Sequence, residues 1–107
     1  MPQYKKWDIY LANVKYEDIE EFKVRPVLIL QSGEAVAIEC LKMTSQPPRA
    51  GEYVLCEWQK AGLRKQTVVR VGKRLRLNSS EIIKRMGRLD LTDIVALEQL
   101  LDNTLKD

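Results

Sequence analysis

The sequence predicts one mainly β domain of the α+β class, a small barrel or strongly curved sheet closed by a C-terminal amphipathic helix. Three observations carry this. Short apolar segments recur with turn signals between them from Asp8 to Leu77, whereas a helical stripe is confined to the C-terminal end. The chain has 107 residues, of which 45% are hydrophobic, enough apolar surface for one core and too little for two. No repeat, low-complexity tract or linker divides it, so residues 1–107 read as a single domain.

In chain order, Asp8-Ile9-Tyr10-Leu11-Ala12-Asn13-Val14 is too short for a typical helix and reads as a strand, followed by an acidic loop, Glu17-Asp18-Ile19-Glu20-Glu21. Arg25-Pro26-Val27-Leu28-Ile29-Leu30 opens with a proline, tolerated at a strand start, and continues as an unbroken apolar run of the buried kind. Ser32-Gly33-Glu34 is a turn. Ala35 to Met43 alternates as a strand and stops at Thr44-Ser45-Gln46-Pro47-Pro48, where paired prolines end it. Glu52 to Trp58 reads as a short strand, Lys60 to Leu63 as a turn, and Thr67 to Leu77 as the longest strand. That strand is expected to carry Val69, Val71, Leu75 and Leu77 on one face and a row of Arg70, Arg74 and Arg76 on the other. Asn78 or Ser79 caps a short helical turn through Ile82 and Ile83, and Met86 to Leu89 is a break or brief extended piece. Asp90 with Asp93 has capping-box-like spacing, and Leu91, Ile94, Leu97, Leu101 and Leu105 approximate the stripe of the final helix.

Composition narrows the function classes. No run approaches the roughly 20 apolar residues of a membrane span, and Met1 to Lys6 has no secretory character, so a cytoplasmic protein is expected. Cys40 and Cys56 both lie in apolar runs without CxxC spacing and read as reduced core thiols. There is no histidine, which removes the usual base at neutral pH and the commonest metal ligand. No metal or other cofactor is expected. The net charge is only +3, but Lys60 to Arg88 holds ten basic residues against the single acid Glu81, so this segment carries +9 and the remainder −6. A local field of that strength attracts polyanions, nucleic acid foremost.

Read together, Trp7-Asp8-Ile9, Val24-Arg25-Pro26-Val27-Leu28-Ile29-Leu30, Met43-Thr44-Ser45, Trp58 with Gly62-Leu63, Val68-Val69-Arg70-Val71 and Gly87-Arg88-Leu89 resemble the MazF/PemK family of toxin endoribonucleases. The resemblance covers nearly the whole chain and rests on the order and spacing of the pieces. It implies an SH3-like barrel of the MazF/CcdB type, a homodimer, cleavage of single-stranded RNA, and silencing by a cognate acidic antitoxin. It also implies that Arg25 and Thr44 are catalytic. Three departures stand out. Some members have an acid two residues after the arginine matched by Arg70, where this chain has Gly72; some have a histidine in the loop after the first strand; and a Gly-Asp-Ile motif is replaced by Trp7-Asp8-Ile9.

The chemistry so implied needs no metal. The 2′-hydroxyl beside the scissile bond attacks phosphorus, and the protein orients the strand and neutralises charge. A guanidinium suits neutralisation because it donates two hydrogen bonds to phosphate oxygens and gives up its own proton reluctantly, so the role expected of Arg25 is stabilisation or proton donation. Thr44, with Ser45 beside it, can hydrogen-bond the scissile phosphate, and Arg70, Arg74 and Arg76 are expected to hold phosphates along the strand. Glu17 and Glu20 are candidates for the base or a loop contact. Tyr53 and Trp58 read as core. The plain alternative for Arg25 is a surface ion pair, and for Thr44 a strand-end hydroxyl satisfying backbone. Two other function classes fit the same features: a non-catalytic nucleic-acid-binding module or gyrase-inhibitor-like toxin on the same barrel, and a structural protein whose basic face docks an acidic peptide.

Overall fold

The computed structural model describes residues 4–15, 21–31 and 38–105. Six strands, β1 (Asp8–Lys15), β2 (Phe22–Ile29), β3 (Ile38–Thr44), β4 (Tyr53–Val54), β5 (Val68–Leu77) and β6 (Ile82–Arg88), form one antiparallel sheet in the order β4-β5-β3-β2-β1-β6. A 3₁₀ turn, Ser79–Glu81, leads into β6, and a single helix, α1 (Leu91–Leu105), ends the chain. The expected fold class is therefore observed, with one strand more than the sequence suggested. Glu17, Glu20, the 32–34 turn and Ala35 lie outside the described residues.

Both faces of the sheet are apolar. The run Val27-Leu28-Ile29 is fully buried because alternate residues serve two clusters. Ile9, Leu28, Leu41, Met43, Val69 and Val71 form one, roofed by Trp7, Leu55, Leu63, Leu89 and, from α1, Leu97 and Leu101. Ala12, Val14, Val27, Ile29, Ile38, Cys40 and Leu77 form the other, with Tyr4. Each Val, Leu, Ile or Met among them contributes about 1.5–3 kcal/mol on removal from water, before entropy is counted.

The sheet curls until its outer strands approach each other. The turn after β4 brings Ala61 and Gly62 against β6: a Cβ on Gly87 would lie 1.9 Å from the Ala61 carbonyl oxygen, and one on Gly62 would lie 2.6 Å from that of Met86. Only glycines permit that approach, and Gly62 also takes φ +92.

Several local expectations are corrected. Glu52 to Trp58 is a strand only at Tyr53–Val54; beyond it the chain turns so that the Cys56 and Glu57 amides reach Asp93, each at 2.9 Å. Cys56 is accordingly exposed and not a core thiol. Ile82 and Ile83 continue into a strand through Arg88, because the helical turn closes at Glu81, whose carboxylate accepts the Asn78 amide at 2.9 Å. Asp90 does cap α1, accepting the Thr92 amide at 3.1 Å, but Asp93 is fully buried and faces away. Leu91 is 71% exposed and so leaves the expected stripe, and the Leu105 side chain lies outside the described residues.

The largest correction concerns β5. Leu41 pairs with Arg74 and Lys42 with Arg70, so three residues, Val71 to Lys73, intervene where one step would suffice. Cross-strand partners share a face, whereas neighbours along a strand do not. This bulge thus sends Arg70 to one face and Arg74 and Arg76 to the other. Val69 and Val71 join the cluster under the helix, while Leu75 and Leu77 join the opposite one.

Trp7 has φ +78. Its amide donates to the Ile29 carbonyl and its carbonyl accepts the Leu89 amide, which fixes it between β2 and the end of β6. A left-handed conformation costs about 1–2 kcal/mol for a residue with a Cβ, and burial of the indole offsets it. The same φ explains why glycine suits this place.

Candidate functional site

Register builds the site. Val27 pairs with Lys42, and Lys42 with Arg70, so these three side chains share the face of the second cluster. Arg25 and Thr44 each stand two residues beyond the Val27–Lys42 pair, on that same face, where the β2–β3 ladder opens. A cleft of about 290 Å³ lies there, lined by Val14, Arg25, Pro26, Val27, Lys42, Met43, Thr44, Arg49, Arg70 and Lys73. Five cations and one hydroxyl thus converge, and no carboxylate is among the described lining residues.

The polar groups are partly committed. Arg25 donates one N–H to the neighbouring Val24 carbonyl at 3.0 Å, which leaves the rest of its guanidinium fork open to solvent. The Thr44 hydroxyl accepts the Gln46 amide at 3.1 Å, so its own proton is available to donate. Arg70 Nε donates to Glu52 Oε2 at 2.8 Å, while Glu52 Oε1 accepts the Arg49 amide at 2.9 Å. These contacts, the Arg49 amide first, hold the Glu52 carboxyl below its ordinary range. Its charge aims Arg70 and ties the loop after β3 to β5. With both oxygens occupied, it is poorly placed to take a proton.

Of the residues expected from sequence, Arg25, Thr44 and Arg70 meet in this cleft. Ser45 is exposed just past β3 and does not line it. Arg74 lines a different depression with Lys6, Leu30, Glu98 and Asp102, and Arg76 pairs with Glu39 at 3.5 Å. Glu17 and Glu20 lie outside the described residues. Lys42, Arg49, Lys73 and Glu52 were not singled out by sequence. Lys42 could have been found by extending the β2–β3 register, but nothing local marks Arg49 or Glu52.

Tyr53 and Trp58 pack against the core as expected, and the Tyr53 hydroxyl donates to Asp93 at 2.6 Å. No group of His, Cys, Asp and Glu among the described residues has the arrangement of a metal site, and no helix among them is long and apolar enough to cross a membrane.

A curled antiparallel sheet, one C-terminal helix and a cleft lined by Arg25, Lys42, Arg49, Arg70 and Lys73 define a small β domain with a positively charged cleft. The family model for the PemK-like, MazF-like toxin of type II toxin-antitoxin systems matches residues 5–105. The chain belongs to that family. Among solved structures, the Mycobacterium tuberculosis toxin MazF-mt6 is similar at a TM-score of 0.74 and 20% identity, over 92% of this chain and 96% of that one. An endoribonuclease in complex with its cognate antitoxin, from a mycobacterial species, gives 0.75 at 12% identity, over 94% and 93%. At these identities the likeness is one of fold. Curated proteins give no significant match.

Proposed function

We propose that this family member is a metal-independent endoribonuclease that cleaves single-stranded RNA in the cytoplasm. The observation that carries the proposal is the meeting of Arg25, Thr44 and Arg70 in one cleft with Lys42, Arg49 and Lys73. In this reading the 2′-hydroxyl attacks the adjacent phosphorus and loses its proton to solvent, the P–O5′ bond breaks, and O5′ takes up a proton from solvent, leaving a cyclic phosphate and a 5′-hydroxyl. Arg25 holds the non-bridging oxygens as charge builds on them, Thr44 donates a hydrogen bond from its hydroxyl to one of them, and Arg70, fixed by Glu52, orients the strand. Lys42, Arg49 and Lys73 supply attraction without base selectivity.

Incubating a long defined RNA with pure protein in EDTA, then mapping the ends, tests this. Cleavage that disappears in Arg25→Ala supports it; intact RNA after prolonged incubation at high protein would sink it.

The absence of a carboxylate among the described lining residues favours a second reading, a non-catalytic binder on the same scaffold. That reading requires salt-sensitive retention of RNA with no change in its length.

A cognate antitoxin and a homodimer belong to the same proposal. Phe22 and Val24 are exposed on β2, and Leu91 and Val95 lie one turn apart and exposed on α1. Apolar area of this kind is what a partner would cover. Size-exclusion chromatography with light scattering, alone and with an acidic partner peptide, reads both.

A further inference from the structure

The cation-lined cleft leaves Arg85 and Arg88 unexplained. They lie on β6 opposite Tyr10 and Asp8 of β1, and with Lys5 these residues line a separate open cleft of about 480 Å³. Asp8 is nearly fully buried and serves both arginines: Arg85 Nε donates to Oδ2 at 3.2 Å, with Nη2 at 3.5 Å from Oδ1, and Arg88 Nη1 donates to Oδ1 at 3.0 Å. Arg88 Nη1 also donates to the Lys6 carbonyl. One buried carboxylate thus fixes two guanidinium groups that are each about half exposed.

What remains uncommitted is a set of donors. Arg85 keeps Nη1, and Arg88 keeps Nε and Nη2. The Lys5 ammonium and the Tyr10 hydroxyl make no hydrogen bond or ion pair among the described residues. Burial, and then the Asp8 charge, push the Tyr10 phenol up, so near neutrality it is a donor and not an anion. Three cations face a single carboxylate, and that carboxylate sits behind the arginines. Donors of this number and charge, already oriented, match the oxygens of a phosphate. The cleft is wider than one such ion requires, which suits a phosphate with sugars attached.

We propose that Lys5, Tyr10, Arg85 and Arg88 form a second phosphate-binding site, distinct from the Arg25–Thr44 cleft, that takes a backbone phosphate of a nucleic-acid strand. The site stands on its own geometry and holds whether or not the chain cuts RNA.

The test is binding, followed by NMR on the full chain with three probes. These are inorganic phosphate; single-stranded oligodeoxythymidylate, which lacks the 2′-hydroxyl and cannot be cleaved by its attack; and polyglutamate. Saturable shifts at Lys5, Tyr10, Arg85 and Arg88 with both phosphate and oligonucleotide are expected. The Lys5→Ala/Arg85→Gln double variant retains the Arg88–Asp8 pair. It should bind the oligonucleotide on the order of tenfold more weakly or worse and should lower the slope of log affinity against log salt by about 0.7, the share of one phosphate on a single strand. Tyr10→Phe, which removes one oxygen only, should weaken phosphate binding while leaving the melting temperature near that of the parent.

Shifts with phosphate alone would overturn assignment to a strand. Polyglutamate binding as tightly as the oligonucleotide would make the cleft an acidic-peptide surface and overturn the phosphate assignment. Residues unmoved by every probe, in a protein that still melts as the parent does, would overturn the site altogether.

Discussion

Arg25 and Thr44 face each other across the opening between β2 and β3, each two residues past the Val27–Lys42 pair. Their positions are fixed by the same register, so a change at either is felt at one point in space. If both address one phosphate, their effects are coupled. Arg25→Ala and Thr44→Ala should each lower kcat/KM on the order of 10²- to 10³-fold, and the double variant should lose less than the product of the two. Strict multiplicativity in the cycle would separate the residues into independent roles.

Glu52 is the positioning residue of the cleft. Glu52→Gln removes the charge that aims Arg70 while keeping an acceptor for Arg49, and it should reduce kcat/KM on the order of ten- to a hundredfold with the fold intact. The sign of its pH dependence follows from the depressed carboxyl. Its contribution is complete above the ordinary value of 4.5 and is lost as pH falls through the lower folded value. The parent should therefore show an acid limb below pH 4.5 that the variant lacks. An acid limb unchanged in Glu52→Gln would assign it to another group.

Asp93 anchors the segment after β4 to the first turn of α1. It accepts the Tyr53 hydroxyl and the Cys56 and Glu57 amides. Burial, followed by this hydrogen bond, holds the Tyr53 phenol well above its ordinary range, so it remains a donor. Asp93→Ala leaves the Cys56 and Glu57 amides unpaired and the Tyr53 hydroxyl with only the Cys56 sulfur at 3.8 Å, and should cost about 3 kcal/mol or more, whereas Tyr53→Phe, which takes one donor from Asp93, should cost less. Urea denaturation measures both, and equal costs would contradict this assignment.

Gly87 and Gly72 should respond unequally to alanine. A Cβ on Gly87 meets the Ala61 carbonyl oxygen, whereas one on Gly72 meets nothing within 4 Å. Gly87→Ala should lose about 1–3 kcal/mol, and Gly72→Ala should be close to neutral in the same thermal melt.

The two thiols should separate by reactivity. Cys40 is buried, and burial pushes its thiol up to about 12, while Cys56 is exposed. Iodoacetamide at mildly alkaline pH should label one site in the native protein, mapped by mass spectrometry to Cys56, and two after denaturation. Native labelling at Cys40 would show that the sheet opens readily there.

The parts of the fold that were legible in the sequence are those set by local pattern. β2 is an apolar run because both faces of the sheet are covered, and α1 shows its Leu97–Leu101 spacing directly. β6 was not legible, since Lys84, Arg85 and Arg88 leave it little apolar content and pairing with β1 defines it. The β5 row failed for a related reason. Alternation holds only while the register does, and nothing around Gly72 announces that three residues leave the ladder. Arg25 and Thr44 came from the family pattern; Arg49 and Glu52 depend on contacts that no spacing encodes.

The excursion at Val71 to Lys73 has a further consequence. Gly72 and Lys73 stand outside the paired ladder, so a change of side chain there disturbs neither strand order nor either core. Mechanical framework and chemical lining are thereby uncoupled at this point. Such a place tolerates sequence drift, and drift there alters the chemistry offered to a ligand while the architecture persists.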